Sequence, residues 1–172
     1  MNQLQEIQLR EADAADDAAV LDLMTQYMTW ALATFERTYG FAMTAVEAQH
    51  TGAALAAFRR PSGLLVLAEV DGAPAGVAAL RAQDDGVVEI KRMFVRPELQ
   101  GRHVGSAMLD RLLEQARDDL RARVVRLDSN RFMTGAHRLY ESRGFVERDP
   151  YPGSEIPAEL QHLWRFYERA LG

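Results

Sequence analysis

The sequence predicts one mixed α/β domain, in the order strand, two helices, hairpin, strand, helix, strand, helix, and one or two closing strands. Three observations carry that prediction. Two apolar runs flank Asp71-Gly72 in GLLVLAEVDGAPAGVAALRA, a dipeptide that tolerates the positive φ of a tight hairpin. The loop QGRHVGS opens directly into a helical stripe of Val104, Met108, Leu112 and Ala116. Two β-rich runs, VVEIKRMFV and ARVVRLDS, bracket that helix and read as neighbouring strands.

The elements follow in order. IQLRE (7–11) is a short first strand. Asp13 offers an N-terminal cap and Asp16 favours the positive helix end. Leu21, Met24, Met28, Ala31 and Phe35 then recur at helical spacing over 14–35, until Gly40 breaks the pattern. A weaker helix is expected over 44–59, stopped by Pro61 and Gly63. The hairpin and a turn at Asp84-Asp85-Gly86 lead to the third sheet run, which Pro97 ends by removing an amide donor. In the helix after the loop, Leu109 and Leu113 join the stripe, while Asp110, Arg111, Glu114 and Arg117 form a solvated face. A strand over 122–129 comes next. Thr134 starts a short helix that Gly144 caps, and a strand begins at Phe145. The tail HLWRFYERAL alternates weakly and reads as a final edge strand.

Bulk properties narrow the function. A chain of 172 residues suits a single domain, 1–172, with one sizeable core. The net charge of −5 gives no support to nucleic-acid binding, which shows as a basic excess. The absence of cysteine removes thiolate nucleophiles and disulfides, and the four histidines lie too far apart to pair on a metal. Neither a signal-peptide pattern nor an apolar run of about 20 residues occurs, so a cytoplasmic protein without a membrane segment is expected.

The loop at 101–106 suggests chemistry. A loop leaving a strand and opening a helix points several N–H groups one way, with the helix dipole behind them, and so favours an anion. Gly101 and Gly105 let a ligand approach the backbone. The lysine and spacing of a P-loop are absent, as is GxGxxG, so neither nucleotide fingerprint applies.

At this point the chain resembles the GNAT superfamily of acetyl-CoA-dependent N-acetyltransferases. MFVRPELQGRHVGSAML is similar to that family's Q/R-x-x-G-x-G/A segment, and HRLYESRGF to its second marker, a tyrosine on a short helix before Gly-Phe. The resemblance implies a mixed, mostly antiparallel sheet of six to seven strands with a splayed parallel pair, flanked by about four helices. It implies acetyl-CoA as cosubstrate, no metal, and direct transfer to a small-molecule or peptide amine. By the same resemblance, Gly101, Arg102, His103, Val104, Gly105 and Ser106 present amides to the pyrophosphate. Met93, Phe94 and Val95 hydrogen-bond the pantetheine arm, and Arg143 reaches the adenosine phosphates or is a solvated helix-end arginine.

Tyr140 matches the tyrosine that protonates the departing thiolate; the alternative is a core aromatic packed with Leu139 and Phe145. Glu89, on the strand feeding the slot, is the candidate base, acting directly or through water, with a cross-strand partner for Lys91 or Arg126 as the alternative. Two positions depart from the family: His103 where many members have glycine, and Met133 where several branches have an asparagine, a contact Asn130 or Ser129 would have to replace. His103 reads as bulk whose amide faces the phosphates while its ring points away. Tyr27, Trp30, Phe35, Glu36 and Arg37 stand on the helix expected to wall the acceptor site. A non-catalytic acyl-CoA-binding or sensor module of the same fold is the rival reading, and monomer and homodimer both stay open.

Overall fold

The computed structural model describes residues 6–43 and 52–172. Seven strands form one sheet: β1 (Ile7–Glu11), β2 (Gly63–Val70), β3 (Ala73–Asp84), β4 (Val87–Val95), β5 (Val124–Asn130), β6 (Val146–Arg148) and β7 (Trp164–Ala170). Their spatial order is β1-β2-β3-β4-β5-β7-β6. The helices are α1 (Asp17–Tyr39), α2 (Gly52–Leu55), α3 (Val104–Asp118) and α4 (Thr134–Ser142). No helix among the described residues is long and apolar enough to cross a membrane.

Local chemistry accounts for most boundaries. The Asp13 side chain accepts from the Ala15 amide and the Asp16 side chain from the Asp13 amide, a reciprocal cap on the 3-10 turn that leads into α1. That helix runs to Tyr39 rather than Phe35, and Gly40 closes it in a left-handed conformation with φ 80°. At the β2–β3 hairpin both Asp71 (φ 50°) and Gly72 (φ 79°) are left-handed, as a type I′ turn requires. Of the helix expected over 44–59, the described part is α2 followed by a 3-10 turn at Ala56–Phe58. The stretch 44–51 lies outside the described residues.

The sheet is covered on both faces. Leu64, Val66, Leu80, Ile90, Val125 and Leu127 pack with the apolar stripe of α3. Leu65, Leu67, Val77, Ala79 and Phe94 pack on the other face with Val20, Leu23 and Met24 of α1. Double coverage explains why β2 reads as an unbroken apolar run instead of an alternating one. The inward stripe of α1 is turned slightly from the expected one: Val20 and Leu23 are buried, while Leu21 is only partly so.

The tail corrects an expectation. It forms β7, which is not an edge strand but lies between β5 and β6, with Trp164, Phe166 and Tyr167 buried. Trp164 and Phe166 pack with Phe35 and Tyr151 on one face, and Tyr167 joins the main core on the other.

What positions the site is the parallel pair. β4 and β5 pair only at Val87–Val124, Val88–Val125 and Glu89–Arg126. Past that point β4 continues to Val95 and β5 to Asn130 without a shared ladder, so the two strands diverge. A bulge in β4 accompanies the divergence: the β3–β4 register shifts between Val77 and Ala79, and Arg92 takes a left-handed backbone with φ 54°.

Candidate active site

A cleft of about 650 Å³ fills the gap between the diverging strands. One end meets the start of α3 at Gly101 and Gly105, and Gln100 lines it there as well. The first bond of α3 runs from the Ala107 amide to the His103 carbonyl (3.0 Å), so the Val104, Gly105 and Ser106 amides have no partner within the helix. A Cβ at Gly101 would meet nothing within 4 Å, and one at Gly105 only side-chain carbons at 3.7 Å or more. The loop is therefore open to a ligand the size of a phosphate. His103 is exposed, caps α3 with a left-handed backbone (φ 65°) and makes no side-chain cap. Its conformation is the one glycine adopts most easily, which explains why glycine is common there in the resembled family.

Beyond the loop, Met93, Phe94 and Val95 form one wall of the cleft. β3 pairs with one edge of this segment, and the opposite edge has lost its ladder to β5. The Val95 carbonyl accepts from the Gln100 side chain at 3.1 Å, which fixes the loop to the strand end.

Tyr140, from α4, lines the cleft with its ring 7% exposed and its hydroxyl 4.0 Å from the Met93 sulfur. Burial, reinforced by Tyr27 and by the Asp128 carboxylate, pushes its phenol well above the usual range. It is therefore a protonated donor at neutral pH. Tyr27, from α1, faces the same space and is pushed up to about 12 by burial.

Glu89, the expected base, does not line the cleft. It is fully buried where β4 and β5 still pair, and its carboxylate meets Arg81 at 2.9 Å, the Tyr151 hydroxyl at 2.7 Å and Lys91 at 3.3 Å. Those three donors hold the carboxylate within the sheet, outside the lining of the cleft. The carboxylate that does line the cleft is Asp128, two residues beyond the last parallel pair. Its Oδ2 lies 3.5 Å from Lys91 Nζ and 3.4 Å from the Ser154 hydroxyl. Burial disfavours the Lys91 charge, but Asp128, Glu89 and Glu155 more than compensate, and the ammonium is held.

The other expectations divide. Arg143 is engaged with Asp110 at 2.8 and 3.2 Å, tying α4 to α3 away from the cleft, whereas Arg138 of the same helix lines it. Arg102 stays exposed on the loop and Val104 turns its side chain into the core. Ser106 bonds back to the His103 carbonyl at 3.0 Å. Of the acceptor-wall residues, Tyr27 and Trp30 line the cleft; Phe35 is core, and Glu36 and Arg37 are exposed elsewhere. Met133 also lines it, with its sulfur 3.5 Å from the Ser129 hydroxyl and 3.9 Å from that of Tyr27. Ser129 lines the cleft and bonds to His137 at 3.1 Å; Asn130 instead accepts from Tyr39 at 2.8 Å. Asp128 and Arg138 were missed in the sequence. Parallel register was the available signal for Asp128, since a strand pair aligned at Glu89 and Arg126 puts it level with Lys91.

The sequence pattern of the acetyltransferase (GNAT) family matches residues 23–145. The N-acetylaspartate synthetase of Xenopus tropicalis is 32% identical over 101 residues, covering 55% of this chain and 37% of that protein. The chain spans about a third of the length of the first curated relatives it matches. Among solved structures, the PaiA N-acetyltransferase of Thermoplasma acidophilum in complex with coenzyme A is similar in fold, with a TM-score of 0.74 at 15% identity over 96% of this chain and 99% of that one. A Salmonella typhimurium protein solved with acetyl-CoA is similar too, with a TM-score of 0.67 at 20% identity over 96% and 94%.

Proposed function

The chain belongs to the GNAT acetyltransferase family, and from that premise we propose that it moves an acetyl group from acetyl-CoA directly to a primary amine in a ternary complex. The observation that carries this reading is a single cleft joining the amide loop of α3, the parted strands, a buried phenol and a carboxylate. The residues suit the cosubstrate. Gly101, Gly105 and the first amides of α3 receive the pyrophosphate, and Arg138 stands beside them for the remaining phosphates. The free edge of β4 at Met93 and Phe94 takes the pantetheine amides as a strand takes a neighbour.

Asp128 replaces Glu89 as the proton acceptor. It takes a proton from the acceptor ammonium and passes it to water. The amine nitrogen then bonds to the thioester carbonyl carbon, and the carbon–sulfur bond breaks. Tyr140 gives its proton to the departing sulfur and is restored by the second proton leaving the nitrogen. The net products are an amide, coenzyme A thiol and one proton. Positioning two reactants in one slot supplies much of the acceleration, so no covalent enzyme intermediate is required.

Acetyl-CoA at about 100 times its Kd should raise the melting midpoint by roughly 5–10 °C, from about 2.7 kcal/mol of linkage. Release of coenzyme A with an amine panel should follow. Tyr140→Phe should keep the thermal shift and lose about 10²- to 10⁴-fold in kcat. No midpoint rise with saturating acetyl-CoA would overturn the reading. A rise without turnover by any amine would instead favour a sensor.

A further inference from the structure

We infer that the Tyr27 hydroxyl is a second catalytic donor, hydrogen-bonding the thioester carbonyl oxygen and the oxyanion it becomes; this rests on the acetyltransferase reading above. Tyr27 continues the inward stripe of α1, one helical turn beyond the buried Leu23 and Met24. Its ring is partly buried and packs on Phe94, with centroids 5.7 Å apart, and on Trp30 at 6.3 Å. Phe94 belongs to the segment of β4 that walls the cleft, so these contacts hold the ring beside the proposed path of the pantetheine arm. The hydroxyl reaches the cleft, where its partner among the described residues is the Met133 sulfur at 3.9 Å.

The pairing of phenols and sulfurs gives the second argument. Tyr27 and Tyr140 each end on a thioether, Met133 at 3.9 Å and Met93 at 4.0 Å. A thioether is a weak acceptor, and a phenol removed from water ordinarily finds a better one. A carbonyl oxygen entering the cleft improves on it. The two phenols are also near enough for Tyr27 to add to the upward push on Tyr140. A thioester carries its oxygen and its sulfur on one carbon, so donors to the two must be neighbours. With Tyr140 serving the sulfur, Tyr27 is placed for the oxygen. Other donors in the cleft are engaged: Lys91 with Glu89, Asp128 and Glu155, Arg92 with Glu155, and Ser129 with His137. Burial pushes the Tyr27 phenol up to about 12, so it donates at neutral pH without losing its proton. As the amine nitrogen bonds to the carbonyl carbon, the π pair moves onto oxygen, and the Tyr27 hydroxyl stabilises that charge. The pair returns as the carbon–sulfur bond breaks and Tyr140 protonates the sulfur. Tyr27 begins and ends as a phenol.

Tyr27→Phe keeps the ring and removes the hydroxyl. The first readout is the infrared carbonyl band of acetyl-CoA, isotope-labelled at the carbonyl carbon and bound without amine. That band should lie at higher wavenumber in Tyr27→Phe than in the wild type, while Tyr140→Phe leaves it in place. The second readout is turnover with the best amine of the panel. Tyr27→Phe should lose about 10²- to 10³-fold in kcat, as removal of one oxyanion donor does, with the Kd of acetyl-CoA within about threefold. A packing role alone would lower Tm and leave the band unmoved. An unmoved band, or a kcat within about threefold of wild type, overturns the inference and leaves the acetyltransferase reading standing. A higher KM for the amine at unchanged kcat would assign Tyr27 to the acceptor and overturns it as well. Should the variant fail to fold, the wild-type band decides: a position above that of free acetyl-CoA in water means that no donor meets the carbonyl. Acetyl-CoA that fails to bind the wild type, or binds without turnover by any amine, overturns both readings.

Discussion

Glu89 and Asp128 stand on adjacent strands and share one lysine, at 3.3 and 3.5 Å, yet they live in different surroundings. Glu89 lies where β4 and β5 are still hydrogen-bonded and is enclosed by Arg81, Lys91 and Tyr151. Asp128 lies just past the point where the strands part and lines the cleft that opens there. The paired end of the sheet encloses its carboxylate, and the parted end leaves one on the wall of the cleft. Two positions along β5, from Arg126 opposite Glu89 to Asp128, separate the two regimes.

Replacing Asp128 with Asn is the strongest way to break this comparison. The substitution keeps the volume and removes the proposed proton acceptor, so kcat/KM should fall by about 10²- to 10⁴-fold while the acetyl-CoA thermal shift persists. A kinetic loss below about threefold would mean that a group elsewhere, or water alone, takes the proton. Glu89→Gln tests the other side. Removing one partner of a buried ionic cluster costs about 3–5 kcal/mol, which for a chain of this size lowers Tm by roughly 6–20 °C. Turnover per folded molecule should hardly change. A variant of Glu89 that melts normally but is inactive would reverse the assignment of the two carboxylates.

These contrasts also explain what the amino-acid sequence made legible. The Asp71-Gly72 turn, the α3 stripe and the amide loop each depend on residues adjacent in the chain, and local chemistry specifies them. The role of Glu89 does not. Its enclosure comes partly from Tyr151, 62 positions away, on a segment without a periodic pattern. A buried carboxylate on a strand covered on both faces looks the same in sequence as one facing a slot. The tail misled for a similar reason: β7 reads as a terminal strand, but its place between β5 and β6 comes from pairing with Val124–Asn130 and Val146–Arg148, well before it in the chain, and no local pattern records it. Arg138 lies on α4 and Arg143 caps it five positions on, and only the position of Asp110 on α3 decides which of them is occupied elsewhere.

The smallest effect sharpens the comparison at the parted end itself. If that end keeps a ligand-shaped backbone at some cost in stability, relieving the cost should leave binding intact. His103 is the place to ask, because its side chain makes no cap and its φ of 65° suits glycine better than a residue with a Cβ. His103→Gly removes the clash between Cβ and backbone but adds freedom to the unfolded chain. The balance should be a gain of up to about 1 kcal/mol, or roughly 2–4 °C in Tm. Affinity for acetyl-CoA should change by less than about threefold, since the amides proposed to face the phosphates are unaltered. A loss of tenfold or more at equal or higher Tm would show that the imidazole touches the coenzyme, and the loop would then bind through a side chain as well as through its backbone.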